Sequence, residues 1–229
     1  MMRSGWLLLT GCLGIGFAVA HGAPPEANPE TGVKWRALFD GKTLKNWKPT
    51  NFGGEGEVTV EEGQILMQQG SDLSGITWTG GELPRSNYEI SLEAQRVDGG
   101  DFFCGLTVPV KDSPCSLIVG GWGGGVVGLS SLNGLDASEN ETTSYRAFKK
   151  KEWYKIRLRV TDTHIQAWIG DDRVVNADIR GKTISIRPEV ELSKPLGISS
   201  YATVAALREI RIRDLTAAEI AEDPTAKKK

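Results

Sequence analysis

Short segments in which every second residue is apolar recur along this chain, and that period leaves few folds open to it. Tyr88, Ile90, Leu92 and Ala94 share one face of a segment whose other face is Glu89, Ser91, Glu93 and Gln95. Tyr154, Ile156, Leu158 and Val160 repeat the pattern opposite Lys155, Arg157 and Arg159. Ile165, Ala167 and Ile169 alternate with His164, Gln166 and Trp168, and Ile210 and Ile212 with Arg211 and Arg213 in what reads as the last strand. A two-residue period sends one side of each strand to a core and the other to solvent. Turn signals punctuate the segments: Asp98-Gly99-Gly100, Lys111-Asp112-Ser113-Pro114, Asn133-Gly134 and Gly170-Asp171-Asp172. Antiparallel strands at this spacing, without a long helical period, predict an all-β, two-sheet antiparallel sandwich or jelly roll. One short helix is expected, near Ala217 to Ala221.

The first 20 of the 229 residues read as a signal peptide. Arg3 supplies a positive start, an apolar run follows from Trp6 to Ala20, and Ala18-Val19-Ala20 forms an A-x-A-like cleavage site before His21. Residues 21–32, rich in proline and small polar residues, read as a leader or tether, 33–215 as one domain and 216–229 as a tail. The chain is therefore expected to be exported, periplasmic or secreted, with no transmembrane segment. A competing reading takes Leu9-Thr10-Gly11-Cys12 as a lipobox, which would anchor a lipoprotein through Cys12. Removing residues 1–20 deletes one charge, Arg3, and moves the formal balance from −2 to −3. With no basic tract beyond Lys227-Lys228-Lys229, nucleic acid is not an expected partner. Cys104 and Cys115 would form a disulfide in an oxidising compartment or stay as two buried thiols; a turn near Asp112 does not set them directly opposite.

Gly120-Gly121-Trp122-Gly123-Gly124-Gly125 stands between two apolar runs. Glycine lets a ligand approach the backbone, and an indole offers a flat apolar face with an N–H at its edge. A sugar ring suits such a surface; the competing reading is a tight turn whose tryptophan plugs the core. The chain has only two histidines, so a multi-histidine zinc site is excluded, and no nucleophile elbow, phosphate loop or dinucleotide fingerprint occurs. Chemistry falls to carboxylates, to His164, or to a divalent metal held by oxygens. Glu93 and Asp101 are candidates for an acid/base pair, against the commoner solvated carboxylate. His164, beside Gln166 and Trp168, could move protons or be an ordinary strand histidine. The polar stretch Asp136-Ala137-Ser138-Glu139-Asn140 offers oxygens for Ca²⁺ without the EF-hand pattern. Lys155, Arg157 and Arg159 read as a solvated strand face.

Trp35-Arg36-Ala37-Leu38-Phe39-Asp40-Gly41-Lys42-Thr43-Leu44-Lys45-Asn46-Trp47 resembles the opening of the bacterial 3-keto-disaccharide hydrolase domain family, long known only as a domain of unknown function. Glu62-Gly63-Gln64-Ile65, Asn87-Tyr88-Glu89-Ile90 and the closing Arg208 to Leu215 are similar to further strands of that family, in the same order. The resemblance implies a concanavalin A-like jelly roll, of the lectin and glucanase type, that is secreted and works on carbohydrate. It also implies a reaction. A ketone at C3 acidifies C2–H, a base removes that proton, the C1 glycosidic oxygen leaves, and water adds to the enone. One departure stands out: many relatives carry Asn-Ser-Gly after the strand matching Tyr88 to Ala94, where this chain has Asp101-Phe102-Phe103-Cys104-Gly105.

The leading expectation is thus an exported enzyme cleaving 3-keto-glycosides, with its site on a concave sheet near Asp101, Trp122, Asn140 and His164. Trp122, with Asn140 and Trp168, would bind the sugar; Asp101 or Glu93 would be the base; His164 would stabilise the enolate or assist the leaving group. A sugar oxidoreductase would supply the keto substrate. The alternatives are a non-catalytic carbohydrate-binding module and a structural or adhesive module of the cell envelope.

Overall fold

The computed structural model describes Met1 and residues 33–222, and the compact unit that carries the fold begins at Val33. The proposed signal peptide, leader, Cys12 and the lysine tail lie outside the described residues. Fifteen strands follow in chain order: β1 (Arg36–Ala37), β2 (Trp47–Pro49), β3 (Val58–Glu61), β4 (Gln64–Met67), β5 (Leu73–Trp78), β6 (Tyr88–Gly99), β7 (Cys104–Val110) and β8 (Ser113–Gly121), then β9 (Val126–Ser130), β10 (Ser144–Tyr145), β11 (Trp153–Val160), β12 (His164–Ile169), β13 (Asp172–Asp178), β14 (Gly197–Tyr201) and β15 (Thr203–Asp214). One sheet runs β13-β12-β11-β6-β15-β4-β3, with β1 also on β15; the other runs β10-β9-β8-β7-β14-β5-β2. Every pairing is antiparallel, as the alternation and turns require. This is the predicted two-sheet jelly roll. A 3₁₀ turn (Pro188–Ser193) and α1 (Ala217–Ala221) are the only helices among the described residues, and none is long and apolar enough to cross a membrane.

The inward stripes of the two sheets make one core. Ile90, Leu92, Ala94, Ile156 and Leu158 come from the eight-stranded sheet, and Leu106, Val108, Leu117, Val119 and Leu129 from the seven-stranded one. Each fully buried leucine or isoleucine contributes roughly 1.5–3 kcal/mol, which holds the sheets face to face. The chain's opening motif serves this core. Asp40 accepts the N–H groups of Lys42 and Thr43 and the Thr43 hydroxyl, closing a turn over Gly41. The main-chain donors of Thr43 and Lys42 hold its carboxyl at about 2. The Trp47 indole then donates to Leu38 O at 2.9 Å and packs edge-on against Trp78.

Cys104 and Cys115 are both free and buried in the core. Cys104 stands opposite Val119 and Cys115 opposite Val108, so they lie several rungs apart on β7 and β8 and form no disulfide. Burial pushes both thiols up to about 12.

On the outer face of the eight-stranded sheet, Glu89 is buried against Arg159 (2.8 Å) and Arg213 (3.3 Å). Glu219 of α1 closes the cluster, taking both Nη atoms of Arg213 at 2.7 and 2.8 Å and Arg159 at 2.9 Å. It also completes a capping box with Thr216.

The native protein reacts with a thiol reagent at neutral pH only after unfolding, and a reductant leaves its melting temperature unchanged; a native mass lighter by a pair of hydrogens would contradict this. Hydrogen bonding from Arg213 lowers the Glu219 carboxyl from 4.5 to about 2. Its stabilisation is therefore complete above 4.5 and lost as pH falls through about 2. Glu219→Gln costs about 1–3 kcal/mol at neutral pH, and the difference from the wild type closes towards about pH 2 in melts.

Candidate functional site

Every second residue of β5, β14, β7, β8 and β9 points away from the core, and most of these residues are small. Register sets Gly75, Ser199, Gly105, Ile118 and Gly128 in one row across the five strands, and Thr77, Gly197, Thr107, Ser116 and Ser130 in the next. A low floor of this kind lets loops and rings lie directly on the sheet. A Cβ at Gly105 would stand 3.0 Å from the Phe102 ring, and one at Gly75 3.1 Å from the Phe52 ring. Between the covering pieces remains a cleft of about 590 Å³, large enough for sugar rings.

Its lining divides into an aromatic and a polar part. Phe52, Phe102, Trp122 and Tyr201 supply rings, and Tyr201 stacks on Phe102 with centroids 6.0 Å apart. Trp122 is 45% exposed, so the indole is a surface platform and not a core plug. Ser116, Ser130, Asp72, Asp101, Arg187 and Glu189 supply polar groups. Arg187 donates to Glu189 through Nε (3.3 Å) and Nη2 (2.8 Å), and to Asp136 through Nη1. The Glu189 and Asp136 carboxylates hold the guanidinium above its ordinary range, and the Arg187 fork lowers Glu189. Asp136 also accepts the hydroxyls of Ser130 (3.2 Å) and Ser131 (3.3 Å). Cation, carboxylates and a cleft-lining hydroxyl thus form one connected wall.

The loop that carries Trp122 is built around a buried cation. Arg96 continues the inward stripe of β6 beyond Ala94, and its guanidinium crosses to the β8–β9 loop. It donates to Asp101 O (3.0 and 3.2 Å), Gly120 O (3.1 Å), Gly124 O (2.9 Å) and Phe148 O (3.5 Å). Burial lowers its pKa, and the rings of Phe103 and Phe148 lie 5.2 and 6.0 Å from it. Turning those carbonyls inward demands positive φ, which Gly120 (81°) and Gly124 (108°) adopt. A Cβ at Gly120 would meet Arg96 Nη2 at 2.6 Å. Asp101 closes the far side: Oδ1 accepts Phe102 N–H and Oδ2 accepts Gly123 N–H, each at 2.8 Å.

Of the expected site residues, the cleft brings together Asp101 and Trp122. Glu93 lies on the outer face of the other sheet, bonded to Arg208 at 2.7 Å, and Arg208 covers the Trp153 ring at 4.0 Å. His164 and Trp168 are on β12 of that same sheet. His164 is buried, with Nδ1 2.9 Å from Thr163 Oγ1, and Trp168 lies under Arg157 and Arg159. Neither lines the cleft, so the expected convergence of Glu93 and His164 with Asp101 and Trp122 does not occur. Of the strand face expected to be solvated, Lys155 is exposed, while Arg157 and Arg159 are drawn into ion pairs and ring contacts.

Asn140 donates to Leu129 O, Leu135 O and Asp136 O and accepts Thr142 N–H and Oγ1–H. Its side chain is spent on shaping the loop that delivers Asp136. That loop was the Ca²⁺ candidate; there the Asp136 carboxylate is taken by Ser130, Ser131 and Arg187, and the Asn140 amide by main-chain carbonyls and Thr142. Among the described residues, no group of three or more His, Cys, Asp or Glu gathers as a metal site.

Sequence reasoning missed Arg187, Glu189 and Arg96. The first two sit in an aperiodic stretch before β14 and carry no local signal. Arg96 did carry one, as a charge at an inward position of the alternation.

A jelly roll with a ring-lined, polar-walled cleft on one sheet is the class that fold and site define. The chain belongs to the family of 3-keto-alpha-glucoside-1,2-lyase-like domains, whose family model matches residues 34–213. It is thereby a carbohydrate-active domain. No curated protein matches the sequence. Similar solved structures include the Crh5 transglycosylase in complex with NAG, at 10% identity over 80% of this chain and 84% of that one, with a TM-score of 0.53. The carbohydrate binding module CBM66 from Bacillus subtilis is 12% identical over 74% and 96%, with a TM-score of 0.51. The Emp46p carbohydrate recognition domain, in its metal-free form, is 11% identical over 76% and 90%, also with a TM-score of 0.51. At such identities the likeness is one of fold.

The loop geometry separates two neighbouring glycines. A Cβ at Gly124 would stand 2.8 Å from Gly100 O, whereas Gly123 has open space. Gly123→Ala should cost about 1 kcal/mol for its positive φ, and Gly124→Ala about 2–4 kcal/mol, in denaturant melts. Equal costs would contradict the described loop.

Proposed function

We propose that this protein is an exported enzyme that cleaves 3-keto-glycosides by elimination and hydration. What supports the reading most is one arrangement: an exposed indole, a carboxylate and a guanidinium on a single glycan-sized cleft, in a chain of the 3-keto-alpha-glucoside-1,2-lyase-like family. The sugar stacks on Trp122. Asp101 takes the C2 proton, and the C2–H electron pair moves into an enolate whose charge rests on the C3 oxygen. Arg187, the cation of the cleft lining, stabilises that charge, the part first expected of His164. The enolate then expels the C1 oxygen, which takes up the proton that Asp101 removed, or one from water. Water adds at C1 of the enone, and a proton returns to C2. A sugar oxidoreductase supplies the C3 ketone. Export follows from the N-terminal signal, and mass spectrometry of the mature N-terminus separates cleavage before His21 from lipidation at Cys12.

A second reading, a non-catalytic carbohydrate-binding module, draws on the hydrogen bonds that already occupy Asp101 and Arg187. One experiment separates the two. Purified protein is incubated with 3-keto-trehalose or 3-keto-sucrose, with and without divalent metal, and free sugar is measured. The enzyme reading expects release, lowered about 10²–10³-fold in Arg187→Met. It expects Trp122→Ala to lose about 2 kcal/mol of sugar binding, roughly thirtyfold in affinity. No release, with glycan affinity that still depends on Trp122, establishes the binding module instead.

A further inference from the structure

We infer that Arg96 is the positioning residue of this cleft, a tethered cation whose fork sets the pose of Trp122 and Asp101 together. The inference builds on the cleft being the site, and it concerns a side chain that does not line it. Three observations carry it. Inward positions of β6 are otherwise apolar, and an apolar side chain there would fill the core without the desolvation cost of a buried charge. Arg96 has no carboxylate ion pair among the described residues; its donors go to four main-chain carbonyls in three separate segments. The Trp122 loop has almost no side chains of its own to anchor it, being glycine on both sides of an exposed ring. Besides its own turn bonds to Gly121 O and the Arg146 N–H bond to Gly125 O, two side chains hold its shape: the Arg96 fork from below and the Asp101 Oδ2 bond to Gly123 N–H from the side.

The two contacts are linked through one residue. Arg96 holds the Asp101 carbonyl, Thr203 exchanges hydrogen bonds with Asp101 N–H (3.1 Å) and O (3.0 Å), and the Asp101 carboxylate reaches the loop. Ring and carboxylate are thus presented as one rigid unit. A lysine in place of Arg96 keeps the charge and cannot span the same carbonyls, because an ammonium lacks the planar fork.

The test uses the full chain with fluorotryptophan, the Trp122 resonance being assigned by its loss in Trp122→Phe. In Arg96→Ala the Gly123 amide should exchange about tenfold faster or more, while core amides of β11 keep wild-type rates. The Trp122 resonance should move towards that of a free indole. Millimolar methylguanidinium should restore both values and methylammonium should not. A folded Arg96→Ala protein with wild-type exchange and resonance overturns the inference, as does equal restoration by methylammonium. If Arg96→Ala does not fold, Arg96→Lys decides: the same local loosening supports the inference, and wild-type values overturn it. None of these readouts needs a sugar. Failure to cleave keto-glycosides would sink the catalytic reading alone, and an unaltered loop would sink this one alone.

Discussion

Because each strand buries every second residue, the sandwich has two outer faces, and in this protein they are chemically opposite. The interlock of the inward stripes is what both depend on. It holds the two sheets face to face, so each outer face was free to specialise. One carries long charged side chains stacked on tryptophans and tied through Glu89 and Glu219. The other is floored by glycine, serine and threonine. A flat floor leaves room for loops to settle on the sheet and enclose a cleft, and long side chains would have filled that room.

The core also reaches into the cleft. Arg96 occupies an inward position, where a charge is costly, and spends its donors on main-chain carbonyls of the Trp122 loop. Gly120 and Gly124, two residues to either side of that tryptophan, are consequences of this choice. They turn their carbonyls towards the guanidinium, and at Gly120 a Cβ would stand in its way. Run in the other direction, an exposed indole on a loop of glycines would have no defined pose without an anchor beneath it. The polar wall opposite follows a similar logic, since Arg187 is shared between Asp136 and Glu189 from two different connections.

Much of the fold was legible in the residues themselves. Tyr88 to Ala94 and Tyr154 to Val160 announce their inward and outward sides, and the helix at Ala217–Ala221 and the turn near Asp112 stand where their local signals place them. The opening motif could be matched to a family because its constraints are local: Asp40 must close its own turn, and Trp47 must return to Leu38. The site was only half legible. Trp122 and Asp101 belong to a loop whose glycines mark it. Glu93, His164 and Trp168 looked equally suitable, being polar or aromatic on an outward face.

What the chain alone determined was the alternation, and with it the strands, the antiparallel sandwich and the residues that make its core. Period two divides each strand into two sides but is silent about which of two sheets that strand will join. Partner choice depends on contacts between segments distant in sequence, and no local pattern encodes it. Tertiary structure therefore decided that β12 faces away from the cleft, which removed His164. It brought Arg187 from an unpatterned connection to meet Asp136, and placed the Arg96 guanidinium beneath Trp122.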